Sequence, residues 1–214
     1  MNDFAEKLPI DEVLNELLKT MSEKNHAVLQ APPGAGKTTR IPLALLNSGL
    51  FEKKIIMLQP RRLAVRSASK RLAHHNGDQL GQTVGYRMRG EKQVSKKTRI
   101  EVVTEGVLIK MIQNDPELKN IDCIIFDEFH ERSLNADLGL TFCLEIRSEL
   151  RKDLSILIMS ATLDAAPVAK LMGNAPVITS LGKSYDVHPY YLSKPWKFNI
   201  DQKNNFIQAI SDLI

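Results

Sequence analysis

Cysteine is scarce: Cys123 and Cys143 are the only two, each inside an apolar segment. Thiols so placed read as structural groups in a reducing cytosol, not as a disulfide or a metal site. No run approaches the about 18 uninterrupted apolar residues of a membrane-spanning helix, so no membrane partner is expected. No secretory leader is expected, since Asp3, Glu6 and Lys7 precede any apolar run. There is no internal repeat and no low-complexity stretch, which sets aside repeat arrays and disordered tracts. What remains is ordinary for a globular protein: 214 residues, 43% hydrophobic and 25% charged. That length suits one large domain, or one domain with part of another.

Acidic residues are nearly absent from one contiguous stretch, about a fifth of the chain. Between Lys53 and Arg99 stand 13 Lys or Arg against two acids, Asp78 and Glu91. The rest carries 16 basic and 23 acidic residues. A solvated charged face is the plain reading of such a run, but segregation this steep favours a polyanion partner.

Short apolar runs alternate with helical patterns. Ile10 to Met21 has the spacing of a packing helix. Ala27–Leu29, Lys54–Gln59, Val84–Gly85–Tyr86, Ile100–Val103, Ile121–Phe126, Ser155–Met159 and 176–179 read as strands. Helices are expected over 41–46, Arg61–His75, Val107–Ile112, Leu134–Leu150 and Ala165–Leu171. Leu63, Ala64, Ala68 and Leu72 would face inward on the second of these. Arg62, Arg66 and Lys70 would form a cationic ladder on another side, suited to a phosphodiester backbone. Lys92–Arg99 reads as a solvent-facing loop, and Thr104 as the N-cap of the following helix. Mostly apolar strands separated by helices predict an α/β fold: a parallel sheet covered on both faces, with ligands at the C-terminal strand ends. After Gly182 the character changes. Residues 1–182 are expected to form the main domain, and 183–214 a connector and the first helix of a second.

The densest chemical signal is Ala31-Pro32-Pro33-Gly34-Ala35-Gly36-Lys37-Thr38-Thr39, between the first strand and its helix. It meets the phosphate-loop pattern except at its first position, where Ala31 replaces Gly. Gly34 and Gly36 allow the backbone to curl, so that N–H groups from Pro33's successors through Gly36 point at phosphate oxygens. Lys37 would reach the outer phosphates, and the Thr38 hydroxyl would hold Mg²⁺. Asp127-Glu128 stands about 90 residues later at the tip of an apolar strand. Asp127 would complete the Mg²⁺ shell, while Glu128, also near the metal, would polarise the attacking water. Taken alone, an acidic pair is often only a solvated turn. His130 follows, with no second His or Cys at metal-ligand spacing. It is either structural or a hydrogen-bonding relay, with Ser160 and Thr162 as partners.

Taken together these motifs resemble the N-terminal RecA-like domain of DEAH-box superfamily 2 helicases, from about Leu8 to Thr179. The loop resembles motif I, Gln59-Pro60-Arg61-Arg62-Leu63-Ala64 motif Ia, and Thr104-Glu105-Gly106-Val107-Leu108 motif Ib. Asp127-Glu128-Phe129-His130-Glu131-Arg132 resembles motif II, and Ser160-Ala161-Thr162-Leu163-Asp164 motif III. Phe129, together with Ala31-Pro32-Pro33-Gly34-Ala35, is similar to the bacterial HrpB subgroup. The resemblance implies that ATP is held by Pro33, Gly34, Ala35, Gly36, Lys37, Thr38 and Thr39, with Arg71 near the adenosine. It implies backbone contacts to nucleic acid from Arg61, Arg62, Arg87 and Thr104. It also implies a coupling role for Ser160 and Thr162. Counterparts of motifs IV, V and VI do not occur in these residues, so arginine fingers would come from a second RecA-like domain.

Three readings follow. One is an ATP-dependent RNA helicase acting on single-stranded RNA, with DNA as the alternative substrate. Another is a P-loop ATPase acting on proteins or complexes. The third is a binding module with a relic loop, against which intact Lys37, Thr38, Asp127 and Glu128 argue.

Overall fold

A computed structural model describes residues 7–161, 165–182 and 188–189. Thr162 and almost all of the region after residue 182, including the expected terminal helix, lie outside the described residues. The chain divides into two units, Met1–Lys183 and Ser184–Ile214, and nearly all described residues belong to the first.

Among the described residues eight strands form one sheet: β1 (His26–Gln30), β2 (Lys54–Gln59), β3 (Val84–Met88), β4 (Glu91–Gln93), β5 (Ile100–Thr104), β6 (Ile121–Phe126), β7 (Ser155–Ser160) and β8 (Val177–Thr179). Their order is β4-β3-β5-β2-β6-β7-β1-β8. All pairs are parallel except β3 with β4. The α-helices among the described residues are α1 (Leu14–Lys24), α2 (Lys37–Asn47), α3 (Arg62–Asn76), α4 (Glu105–Asn114), α5 (Leu134–Glu149) and α6 (Ala165–Leu171).

Strand alternation distributes the core between two layers. Ala27, Leu29, Ile55, Met57, Val102, Ile125 and Leu157 point to the face covered by α1, α2 and α3. Val28, Ile56, Leu58, Val103, Ile124 and Ile158 point to the face covered by α4, α5 and α6. Continuous apolar strands are what two-sided coverage requires, and each buried Leu, Ile or Val contributes about 1.5–3 kcal/mol. Register then brings the strand ends level: Gln30 pairs with Ser160, and Gln59 with Thr104. Asp127 follows directly on β6, between them.

Several local expectations differ from the structure. The Ile10–Met21 helix is interrupted at Val13, with a 3₁₀ turn over Pro9–Glu12 preceding α1. Asp11 fixes that turn by accepting a bond from the Leu8 amide at 2.9 Å. Leu63 is 74% exposed, and Val65 packs inward in its place. The buried set of α3 is Val65, Ala68, Ser69, Leu72 and Ala73, a better 3.6-residue stripe. Part of the expected Lys92–Arg99 loop is β4, which pairs with β3. Thr104 does precede α4, but its side chain makes no capping bond.

Candidate active site

The loop after β1 curls through Gly34 (φ +77°) and Gly36 (φ +98°). Both values lie where glycine is favoured. At Gly36 the need is also steric, since an added Cβ would come within 2.6 Å of Leu8 Cδ1. Gly36 caps α2, so Lys37, Thr38 and Thr39 form its first turn. Lys37 is buried, and its ammonium donates to the Ala31 and Pro32 carbonyls at 2.6 and 3.1 Å. Burial lowers its pKa, and the charges of Glu128 and Asp127 partly offset this. Thr39 Oγ1 donates to the Gly36 carbonyl at 3.3 Å.

Asp127 joins the loop to the centre of the sheet. Its Oδ2 accepts from Thr38 Oγ1 at 2.7 Å and from Gln59 Nε2 at 2.5 Å. Its Oδ1 accepts from the Glu128 amide at 2.9 Å. The carboxyl is only 5% exposed. Burial pushes it up to about 6 from 3.8; the Glu128 charge adds to the rise, while bonds from Thr38, Glu128 and Gln59 oppose it. Gln59 opens the Gln59–Ala64 motif, whose residues announce no role for it. Its contact depends on β2 lying beside β6, an order that the sequence does not display.

Glu128 has φ +52° and begins a short 3₁₀ turn, Phe129–Glu131. A non-glycine residue in that region is unusual and turns the chain sharply at the strand end. Phe129 is buried edge-on against Phe126 with centroids 6.0 Å apart, and the Arg132 guanidinium lies 5.4 Å from its ring centre. This anchors the turn on the layer beneath it. His130 Nδ1 lies 3.4 Å from Glu128 Oε2 and 3.3 Å from the Ala161 amide. When Nδ1 accepts from the amide it holds no proton for Glu128, so one nitrogen serves one neighbour at a time. Of the relay expected toward Ser160 and Thr162, the described residues show a bond from the Ala161 amide to His130 and none to the Ser160 hydroxyl. The Ser160 hydroxyl is fully buried with no hydrogen-bond partner among the described residues, and Thr162 lies outside them.

The candidate nucleic-acid residues lie on the same edge of the sheet. Arg61 and Glu131 form a 3.0 Å ion pair beside a cavity of about 250 Å³ that also meets Glu105 and Glu128. Arg62 donates to the Arg89 carbonyl at 3.1 Å. Arg87 Nε stands 2.7 Å from the buried Glu101 Oε1, without the alignment of a hydrogen bond, and Lys54 approaches the other oxygen at 3.1 Å. Thr104 and Arg87 both line a groove of about 490 Å³ that also includes Arg89 and Lys110. Of the expected cationic ladder, Arg62 and Arg66 both lie against the Glu91 carboxylate. Arg71 is exposed on α3, which packs on α2. Cys123 and Cys143 are free, buried thiols whose pKa values burial drives upward.

The family model described as DEAD/DEAH box helicase matches residues 11–171. ATP-dependent RNA helicase HrpB of Escherichia coli is 50% identical over 88% of the chain and 23% of its own length. ATP-dependent RNA helicase HrpA of Borreliella burgdorferi is 40% identical over 89% of the chain and 23% of its own. A crystal structure of Escherichia coli DEAH/RHA helicase HrpB superposes with a TM-score of 0.87 at 47% identity, over 95% of this chain and 26% of that one. The chain thus spans about a quarter of each of these relatives.

Proposed function

The chain belongs to the DEAD/DEAH box helicase family, and from that premise we propose that it is the first motor domain of an ATP-dependent RNA helicase. The observation that carries this reading is the convergence of Lys37, Thr38, Asp127 and Glu128 with a basic edge on one side of one sheet. Residues 1–182 form the RecA-like domain in this proposal. Residues 183–214 are the connector and first helix of a second, which supplies the missing arginine fingers. A cytoplasmic location fits two free, buried thiols.

Mg²⁺ suits the donor set. Thr38 and Asp127 present a hydroxyl and a buried carboxylate at one point, oxygen donors of the kind that magnesium prefers. No group of three or more His, Cys, Asp or Glu able to hold a metal occurs among the described residues. Such economy fits an ion that completes its shell with water and phosphate. Thr38 and Asp127 would hold it, with Glu128 nearby. Bound there, Mg²⁺ would neutralise charge on the outer phosphates.

The chain's own groups do the rest. Lys37 exchanges its carbonyl partners for phosphate oxygens, and the loop amides between Gly34 and Thr39 donate to the remaining phosphate oxygens. Glu128 orients the attacking water and takes its proton. His130 reports the state of Glu128 to Ala161, at the entrance to the coupling segment that contains Ser160 and Thr162. Pro33, Ala35 and Thr39 belong to the phosphate cradle, and Arg71 to the adenosine side. Arg61, Arg62, Arg87 and Thr104 bind the nucleic-acid backbone, so base sequence matters little.

The test is binding of single-stranded oligouridine by the intact protein over a salt series. Affinity should fall steeply with salt, as phosphate contacts require. Absence of binding would favour an ATPase acting on proteins. Equal binding and stimulation by DNA would favour a DNA-capable motor.

A further inference from the structure

Only two acids interrupt the basic Lys53–Arg99 stretch, and each has a definite place. Asp78 accepts from Asn76 and from the Thr83 amide at 3.2 and 3.1 Å, closing the turn after α3. Glu91 lies at the hairpin between β3 and β4, beside the groove that holds Arg87, Arg89, Thr104 and Lys110. A carboxylate here works against a polyanion, so its presence needs a reason.

The hairpin supplies one. It has only three cross-strand pairs, Tyr86 with Gln93, Arg87 with Lys92 and Met88 with Glu91, and β4 is the sheet's edge. Its two-residue turn is Arg89-Gly90, with positive φ at Gly90 alone. That is the pattern of a type II turn, whose twist matches a hairpin less well than the primed types do. Local backbone preference therefore fixes this turn weakly, and side chains must hold it.

Glu91 gathers those side chains. Its Oε1 accepts from Tyr86 Oη at 2.5 Å and from Arg66 Nε at 3.1 Å. Its Oε2 accepts from the second Arg66 nitrogen and lies 3.7 Å from Arg62 Nη2. Arg62 in turn donates to the Arg89 carbonyl at the turn. Arg66 and Tyr86 lower the carboxyl to about 2, so it stays ionised throughout the physiological range. Arg89 and Lys110, by contrast, have no acidic partner among the described residues, and both line the groove.

We propose that Glu91 is a positioning residue, which clamps the β3–β4 turn to α3 and so presents Arg62 and Arg89 to a nucleic-acid backbone. This rests on the nucleic-acid reading given above. The clamp has a distinctive consequence. Charge alone predicts that removing Glu91 tightens binding of a polyanion. Positioning predicts the opposite sign.

The experiment compares intact wild-type protein with Glu91→Gln and Tyr86→Phe, using fluorescent single-stranded oligouridine over a salt series. Binding of a fluorescent ATP analogue is measured in parallel. Glu91→Gln should weaken oligouridine about fivefold and reduce the salt slope by about one phosphate contact. Tyr86→Phe should weaken it about twofold by removing one bond to the clamp. Nucleotide affinity should stay unchanged in both, which general loosening of the domain would not allow. Tighter or equal oligouridine binding by Glu91→Gln with nucleotide binding retained overturns the clamp alone. If Glu91→Gln also loses nucleotide, Tyr86→Phe decides: unchanged oligouridine binding overturns the clamp, and selective weakening supports it. Wild-type protein that binds no oligouridine overturns the functional reading, and this inference with it.

Discussion

Asp127 should cost the nucleotide-free protein stability, and Asp127→Asn should show it. The carboxyl is 5% exposed and raised to about 6 from 3.8. A folded-state pKa above the unfolded one means that the folded state holds more protons between the two values. Stability is therefore greatest below about pH 4 and falls as pH rises through about 6. Two pKa units correspond to about 3 kcal/mol against folding at pH 7. At pH 5 about half of that penalty is present. Asparagine removes the charge but weakens the bonds donated by Thr38, Gln59 and the Glu128 amide. The net gain should be about 1–2 kcal/mol at pH 7, or a melting temperature about 2–8 °C higher. Thermal melts at pH 7 and pH 5, with and without Mg²⁺ and an ATP analogue, measure this. Wild type should overtake the variant when Mg²⁺ and nucleotide are present, because they need the ionised carboxylate. A variant less stable than wild type at pH 7 without ligand would refute the reasoning. So would a difference between them that ignores pH.

Gly36→Ala should destabilise the protein by about 1–3 kcal/mol, combining left-handed backbone strain with the approach to Leu8. Gly34→Ala meets no atom within 4 Å and should cost only about 1 kcal/mol, from its backbone conformation; urea unfolding of the pair checks the order. Glu101→Gln should cost about 2 kcal/mol, less than a wholly buried pair, because Lys54 and Arg87 keep access to water. An unchanged urea midpoint would show that those cations need no buried anion.

The sheet was legible because its strands are apolar runs bounded by Pro, Gly and charged turns. Lys54–Gln59 and Ile121–Phe126 match the expected spans. The phosphate loop and the Asp127-Glu128 pair were legible because their chemistry uses contiguous residues at strand ends. Contacts that arise from strand order were not. Gln59 reaches Asp127 only because β2 neighbours β6. The Glu91 clamp was equally hidden, since a basic run suggests open cations and β4 is too short for its period to be visible. Leu63 misled because helical phase at a first turn is set by where the helix begins, at Arg62. His130 meets the coupling segment at the Ala161 backbone, a contact that residue types along the chain do not announce.

ATP turnover by the intact protein with single-stranded RNA, single-stranded DNA or neither bears most directly on the central claim. Glu128→Gln serves as the control. RNA should stimulate turnover well above the basal rate, and Glu128→Gln should abolish turnover while retaining ATP. Turnover indifferent to nucleic acid, or persisting in Glu128→Gln, would contradict the account.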